Sequence, residues 1–383
     1  VNVAAGWRDL DHDIWDRLTP RHSFESRPWL AHDCVTSIVL WGEDRRGRTG
    51  AVGLLNPQMT QLPLHTAGDI FAGPVALGLM DAIGVPTPPR PSLSGVFTSM
   101  APYAYRTCLP GTLDVTATTD LLECALAEVR AAGGRALAFP YLRDDDSVLL
   151  AALRRLGARE GVIGAGCRVR VRYPSAREHF ARQSRDARRS LRRYEMLRED
   201  GGVDAAVLGP HEAVPASLAP TMVNLLASEA RRHGIGAPPM ALYRAIVGSW
   251  PGRRTVQWTV QEGRLTGCEL GFVEGDELIA KLGGHLRRDA GYVDVGLTGS
   301  INLAYQTGMR RVDLGASTHA PKLARGAELY WIRGALLGEI PANFDGWSDQ
   351  YETRLAARLR TLTRRPLPPL ADAADPGVGQ ASV

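Results

Sequence analysis

The chain has 383 residues, 44% of them apolar and 22% charged, with a formal net charge of +4. This is a globular composition, and the length points to two domains of roughly 150–200 residues each. It contains no basic-then-apolar leader and no run of about 18 uncharged apolar residues, so a signal peptide and a membrane span are not expected and a cytoplasmic protein is.

In chain order, short apolar runs at 36–41 (TSIVLW) and 50–55 (GAVGLL) predict strands. The Pro-rich stretch 84–95 predicts a loop. Helical spacing of Leu122, Ala125, Leu126 and Val129 predicts a helix over 119–134, capped by Thr119 or Asp120 and stopped by Gly133. A strand over 135–142, a helix over 146–157 and a strand over 158–164 complete the first half. The second half repeats the order: a strand at 166–173, helices near 175–199 and 212–233, and three strands through 255–286. A short helix at 300–308, a strand at 310–315, a polar loop carrying Lys322, and a strand at 328–337 follow. A closing helix is expected at 347–364, and 366–383 has the composition of a disordered tail. Each half ends in helix, Gly stop, Arg-led strand, polar connection and strand, which implies a duplicated fold. The expected boundaries are 1–165, 166–345 and 346–383.

Cys34, Cys108, Cys124, Cys167 and Cys268 are odd in number and never spaced C-x-x-C, so neither a disulfide framework nor a zinc site is expected, and no metal. Charge is unevenly spread. Residues 168–198 hold eleven arginines against Glu178, Asp186 and Glu195, which leaves the rest of the chain net acidic. On a helical wheel Phe180, Ala187, Leu191 and Tyr194 share one face, while Arg182, Arg185, Arg188, Arg189, Arg192 and Arg193 spread over the other. Such a block is either a solvated face or a phosphate-binding one, since the guanidinium fork grips phosphates well.

Only two of the 45 basic residues are lysines, Lys281 and Lys322. "TGMRRVDLG" followed by "KLARG" resembles the G-x-R-x-x-D-x-G … K-x-x-x-G ending of the Fem-type transferases, a tandem branch of the GNAT acyltransferase superfamily, and the arginine segment resembles their R-x-x-R-R-x-x-R stretch. The resemblance implies an α/β fold of mixed sheets with two GNAT-like domains. It implies an aminoacyl-tRNA co-substrate rather than a bound cofactor, and an amide formed on an amine acceptor, either a cell-wall precursor or a small molecule of antibiotic biosynthesis. No helical-hairpin arm is present, so the chain is similar to the FemX-like members.

On that reading Lys322, on a loop free to swing over the sheet edge, steadies the oxyanion, and Asp313 stands beside it as the family aspartate. The bases open to choice are Asp313, Asp294, Glu269, His285 and His319. Tyr292 and Arg325 join Glu269, Lys281, His285, Asp294 and His319 as substrate-binding candidates, and the six arginines would hold the tRNA. Lys281 and Glu269 lie in consecutive strands, where the hairpin register decides whether they pair. The acyl-CoA alternative needs a Q/R-x-x-G-x-G/A loop before a helix. The one match, Arg231–Gly236, sits where a helix stops, which leaves acyl-CoA as the second reading and a non-catalytic RNA- or nucleotide-binding protein as the third.

Overall fold

A computed structural model describes residues 1–20, 23–32, 36–58, 67–71, 92–101, 104, 106–143, 146–232, 240–286, 291–316, 318–363 and 366–367. Most of the Pro-rich stretch and of the expected tail, and residues 233–236 of the Arg231–Gly236 match, lie outside them. Twelve strands form one sheet in the order β1-β2-β3-β4-β5-β12-β6-β11-β10-β9-β8-β7. They are β1 (Asn2–Ala4), β2 (Thr36–Glu43), β3 (Thr49–Leu55), β4 (Val96–Thr98), β5 (Ala136–Leu142), β6 (Arg159–Arg170), β7 (Val203–Leu208), β8 (Arg254–Gln261), β9 (Arg264–Glu274), β10 (Glu277–His285), β11 (Arg311–Ala316) and β12 (Glu328–Gly338).

The order is palindromic about β12 and β6, which pair antiparallel at the centre. Each half has one parallel pair at the same place: β4 with β5 in the first, β10 with β11 in the second. The duplication expected from element order is thus present in the topology. The two strands expected at 158–164 and 166–173 are one, β6, so the boundary expected at 165/166 falls inside a strand. β12, from the end of the chain, lies between β5 and β6 and serves both halves.

Helix ends follow local capping chemistry. The first long helix, α4 (Val115–Ala131), begins earlier than expected because the Asp114 side chain accepts from the Ala117 N–H at 2.9 Å; it stops before Gly133, whose φ is +79°. Among the described residues, three short helices precede it: α1 (His12–Arg17), α2 (Arg27–Leu30) and α3 (Ala67–Phe71). α5 (Ser147–Arg155) packs beside α4. The arginine segment is two helices, α6 (Ala176–Ala181) and α7 (Arg185–Glu199), because Ser184 caps a second start by accepting from Ala187 N. α8 (Ala219–Arg232) and α9 (Met240–Gly248) cover β8 to β10 on the opposite face. A π-helical stretch, Gly291–Gly299, runs directly into α10 (Ser300–Gln306). α11 (His319–Ala324) and α12 (Phe344–Leu362) complete the set.

The amino-terminal segment ties the halves together: β1 pairs with β2 of the first half, while Phe24 and Trp29 reach into the second. Phe24 and Trp29 pack edge-on to each other and to Trp250 and Phe272, with ring centroids 4.8–6.1 Å apart. Each such pair adds about 0.5–1.5 kcal/mol beyond its buried area.

Candidate active site

β10 and β11 pair in register only from Glu277/Arg311 to Ile279/Asp313. Beyond that point β10 carries an irregularity against β9 between Ala280 and Leu282, with Lys281 the extra residue. A bulge bends its strand and re-aims a side chain. Here it opens the sheet where two parallel strands end, a usual place for ligands in α/β sheets.

Asp313, the last residue of β11 paired with β10, is fully buried. Arg143, at the end of β5, donates to its Oδ2 at 2.5 Å; the Tyr330 hydroxyl on β12 lies 3.0 Å from both oxygens, and the Gly315 N–H donates at 2.8 Å. Arg143 and Arg168 also stack on the Tyr330 ring, at 5.6 and 4.9 Å. Burial opposes ionisation of Asp313, but Arg143, the Gly315 N–H, Arg168 and Tyr330 outweigh it and hold the carboxyl below its ordinary range. A carboxylate this acidic takes a proton poorly, so Asp313 suits charge-holding rather than the work of a base.

Lys281 points to the same face. Its ammonium donates to the Ala104 carbonyl at 2.5 Å and lies 5.5 Å from the Phe24 ring centroid. Burial, followed by repulsion from Arg143 and Arg106 against attraction to Asp313, lowers it to about 7. It does not pair with Glu269. Register places Glu269 opposite Gly283, and its carboxylate is 2.7 Å from His285 Nε2. The extra bulge residue defeats both simple hairpin registers. A Cβ on Gly283 or on Gly296 would come within 2.5 Å of Glu269 Oε1, so glycines wall this pair in.

Lys322 is not on a swinging loop. It sits in the helical turn α11, only 1% exposed, and donates to the Gly315 and Ala316 carbonyls at 3.1 and 2.8 Å. Gly315, at φ +73°, turns those carbonyls off the end of β11. Burial lowers the lysine to about 8, against the pull of Cys167 and Asp313. His319 begins the same turn, buried, with Nε2 2.9 Å from the Ala165 carbonyl, and burial lowers its pKa.

The basic face is real, and one member is committed elsewhere. Arg182, Arg185, Arg188, Arg189, Arg192 and Arg193 are all exposed, whereas Ala187, Ser190, Leu191 and Tyr194 are buried. Arg182 stacks on Tyr173 at 4.9 Å and Arg188 donates to the Gln183 carbonyl at 2.6 Å. Arg193 grips the buried Asp294 with two bonds, of 2.7 and 3.0 Å. Asp294 also accepts from Ser190, whose hydroxyl is 2.9 Å from that of Thr298; Arg325, itself buried, donates to Ser190 at 2.7 Å and to Thr298 at 2.9 Å. Asp294 and Arg325, expected at the substrate, are thus the fabric joining α7, the π-helical stretch and α11. Tyr292 lies in that stretch, and its side chain falls outside the described residues.

Arg106, Arg143, Arg168 and Tyr330 were not singled out by sequence. Arg143 and Asp313 are 170 positions apart, and among 43 arginines nothing marks this one. Tyr330 meets Asp313 only because β6 and β12 adjoin β11 in turn.

The sequence matches no family model and no curated protein. Solved structures are similar at low identity. L-PGS of Bacillus licheniformis is 9% identical, with a TM-score of 0.52 over 92% of this chain and 96% of that one. The C-terminal domain of a protein called a lysylphosphatidylglycerol synthetase from Agrobacterium fabrum is 12% identical, with a TM-score of 0.51 over 88% and 96%. FemX is 11% identical, with a TM-score of 0.49 over 88% and 97%. With the palindromic sheet and its two parallel pairs, the first two similarities show that this chain shares the duplicated α/β fold of those two structures.

Proposed function

We propose that the protein transfers an acyl group, delivered as an aminoacyl ester of tRNA, to an amine acceptor, with the chemistry in the second half. The observation that carries this reading is the opened β10/β11 pair, with Lys281 at its bulge, Asp313 at its last paired position and Lys322 at the strand end. The acceptor amine attacks the ester carbonyl, the carbonyl oxygen gains negative charge, and the ribose oxygen leaves with a proton. Lys281, lowered to about 7, takes the proton the amine loses. Lys322 supplies the cation beside the oxyanion, and Asp313 holds Arg143 and Arg168 in place. The name of the Agrobacterium fabrum relative, which describes a lysyl-phospholipid product, accords with an aminoacyl donor.

Two features weigh against acyl-CoA held by helix amides. The π-helical stretch runs into α10 with Gly299 itself helical, at φ −63° and ψ −42°, so α10 offers no open amino-terminal turn. In the first half the corresponding turn of α4 is occupied by the Asp114 carboxylate. The exposed arginines of α7 suit an RNA backbone.

The test is incubation with tRNA charged with labelled amino acids and a panel of amines, with and without ribonuclease. Labelled amide that disappears on ribonuclease treatment is expected. Product that survives ribonuclease eliminates tRNA and returns the donor to acyl-CoA, and RNA binding without product under any donor supports the non-catalytic reading.

A further inference from the structure

Between the amino-terminal segment and the β9–β10 hairpin lies a cavity of about 540 Å³, within the usual range for small-molecule sites. Its walls come from both halves: Ser23 and Arg106 from the first, and Trp250, Glu274, Glu277 and Arg311 from the second. The charged members are two guanidiniums and two carboxylates, so the lining is balanced in sign. Arg106, Glu277 and Trp250 are buried, while Arg311 is exposed at the rim. Glu274 accepts from the Ser23 N–H at 2.7 Å, and Glu277 lies 2.8 Å from Arg168 and 4.0 Å from Arg311. A plain anion such as phosphate would meet two carboxylates here, and a plain amine two guanidiniums. A molecule carrying both charges meets a partner at each end, against the flat wall of Trp250.

The cavity is tied to the opened strands. Arg106 influences both Glu274 and Lys281, and Ala104, two residues before it, accepts the Lys281 ammonium. Burial raises the Glu274 carboxyl, a cost that a ligand ammonium beside it would offset.

We infer that this cavity binds the acceptor, and that the acceptor is a small zwitterion bearing both an amine and a carboxylate, as a free amino acid or the end of a short peptide does. Its ammonium faces Glu274 and Glu277, and its carboxylate faces Arg106 and Arg311. The inference rests on the acyl-transfer reading for the word acceptor; the binding itself does not.

Calorimetry and thermal shift on the full chain, without donor, test it. The probes are the twenty free amino acids and a set of glycyl dipeptides. Each is compared with the matched amine lacking the carboxylate, the matched acid lacking the amine, and inorganic phosphate. At least one zwitterion is expected to bind, with each half-probe and phosphate weaker by tenfold or more. Glu274→Gln, which keeps an acceptor for Ser23, and Arg311→Gln, at the exposed rim, should each weaken the zwitterion at least tenfold while leaving the melting temperature of the unliganded protein near that of the parent. Phosphate or a half-probe binding as tightly as any zwitterion, unaltered binding in both variants, or no zwitterion binding at millimolar concentration overturns the inference. None of these outcomes bears on ribonuclease sensitivity, so the two readings fail separately.

Discussion

The two halves share a topology and differ in what stands at their parallel strand pairs. In the first half the register Thr98/Ala138 occupies the place that Ile279/Asp313 holds in the second. Ala138 lies in an apolar cluster with Val96, Ala136 and Val162, whereas Asp313 lies among arginines and a tyrosine. Neither lysine is in the first half, yet that half gives Arg143 and Arg106 to the charged cluster of the second. Duplication supplied two parallel pairs, and a bulge and buried charge mark one of them while the other half serves as scaffold.

The contrast can be broken most sharply at Asp313. Asp313→Ala removes the buried carboxylate that pairs with Arg143 and is expected to cost about 3–5 kcal/mol in urea unfolding. Ala138→Gly at the matching position deletes one buried methyl in a strand and should cost about 1–2 kcal/mol and spare turnover. Equal costs at the two sites would dissolve the distinction between the halves. The Asp313 contribution is also pH-dependent with a defined sign. Its carboxyl is lowered on folding, so the stability it gives is present above the ordinary carboxylate range and is lost as pH falls through the lowered value.

Next in size is Lys322. Because its ammonium satisfies two buried carbonyls, Lys322→Met should both loosen α11 and cut kcat about 10²- to 10³-fold, measured at a temperature where the variant remains folded. Unchanged turnover in the folded variant would leave Lys322 a structural clasp. Lys281→Met should lower kcat/KM about 10²-fold and remove a rise in rate as pH passes about 7, where this lysine becomes neutral. A parent profile flat through that region would assign the proton to another group.

The arginines of α7 divide in the same spirit. Arg193→Ala leaves the buried Asp294 with Ser190 but without its charged partner and is expected to cost about 1–3 kcal/mol of stability. The smallest effect falls to Arg189→Ala with Arg192→Ala, which should keep stability and flatten the salt dependence of RNA binding by about 1.4, or roughly 0.7 for each single-strand phosphate that is no longer neutralised. An unchanged slope clears α7 of RNA binding.

Local and periodic features of this fold were legible in the sequence. The strands of each half, the Gly133 stop and the buried face Phe180, Ala187, Leu191 and Tyr194 follow from spacing that any neighbour enforces. What escaped was what distant strands decide. The continuity of β6 needs β12 on one side and β11 on the other. Lys322 could be picked out as one of two lysines, but not as a buried clasp, because the turn that holds it is pinned by Arg325 donating to the Pro321 carbonyl and by His319 against the Ala165 carbonyl of β6. Glu269 and Lys281 were separated by one bulged residue, a feature with no signature in a single sequence.

A crystal complex with a non-hydrolysable aminoacyl-adenosine mimic tests the placement of chemistry most directly. The acyl carbonyl is expected between the separated ends of β10 and β11, within hydrogen-bond reach of Lys281 or Lys322. Density for that carbonyl between β4 and β5, beside Ala138, would contradict it.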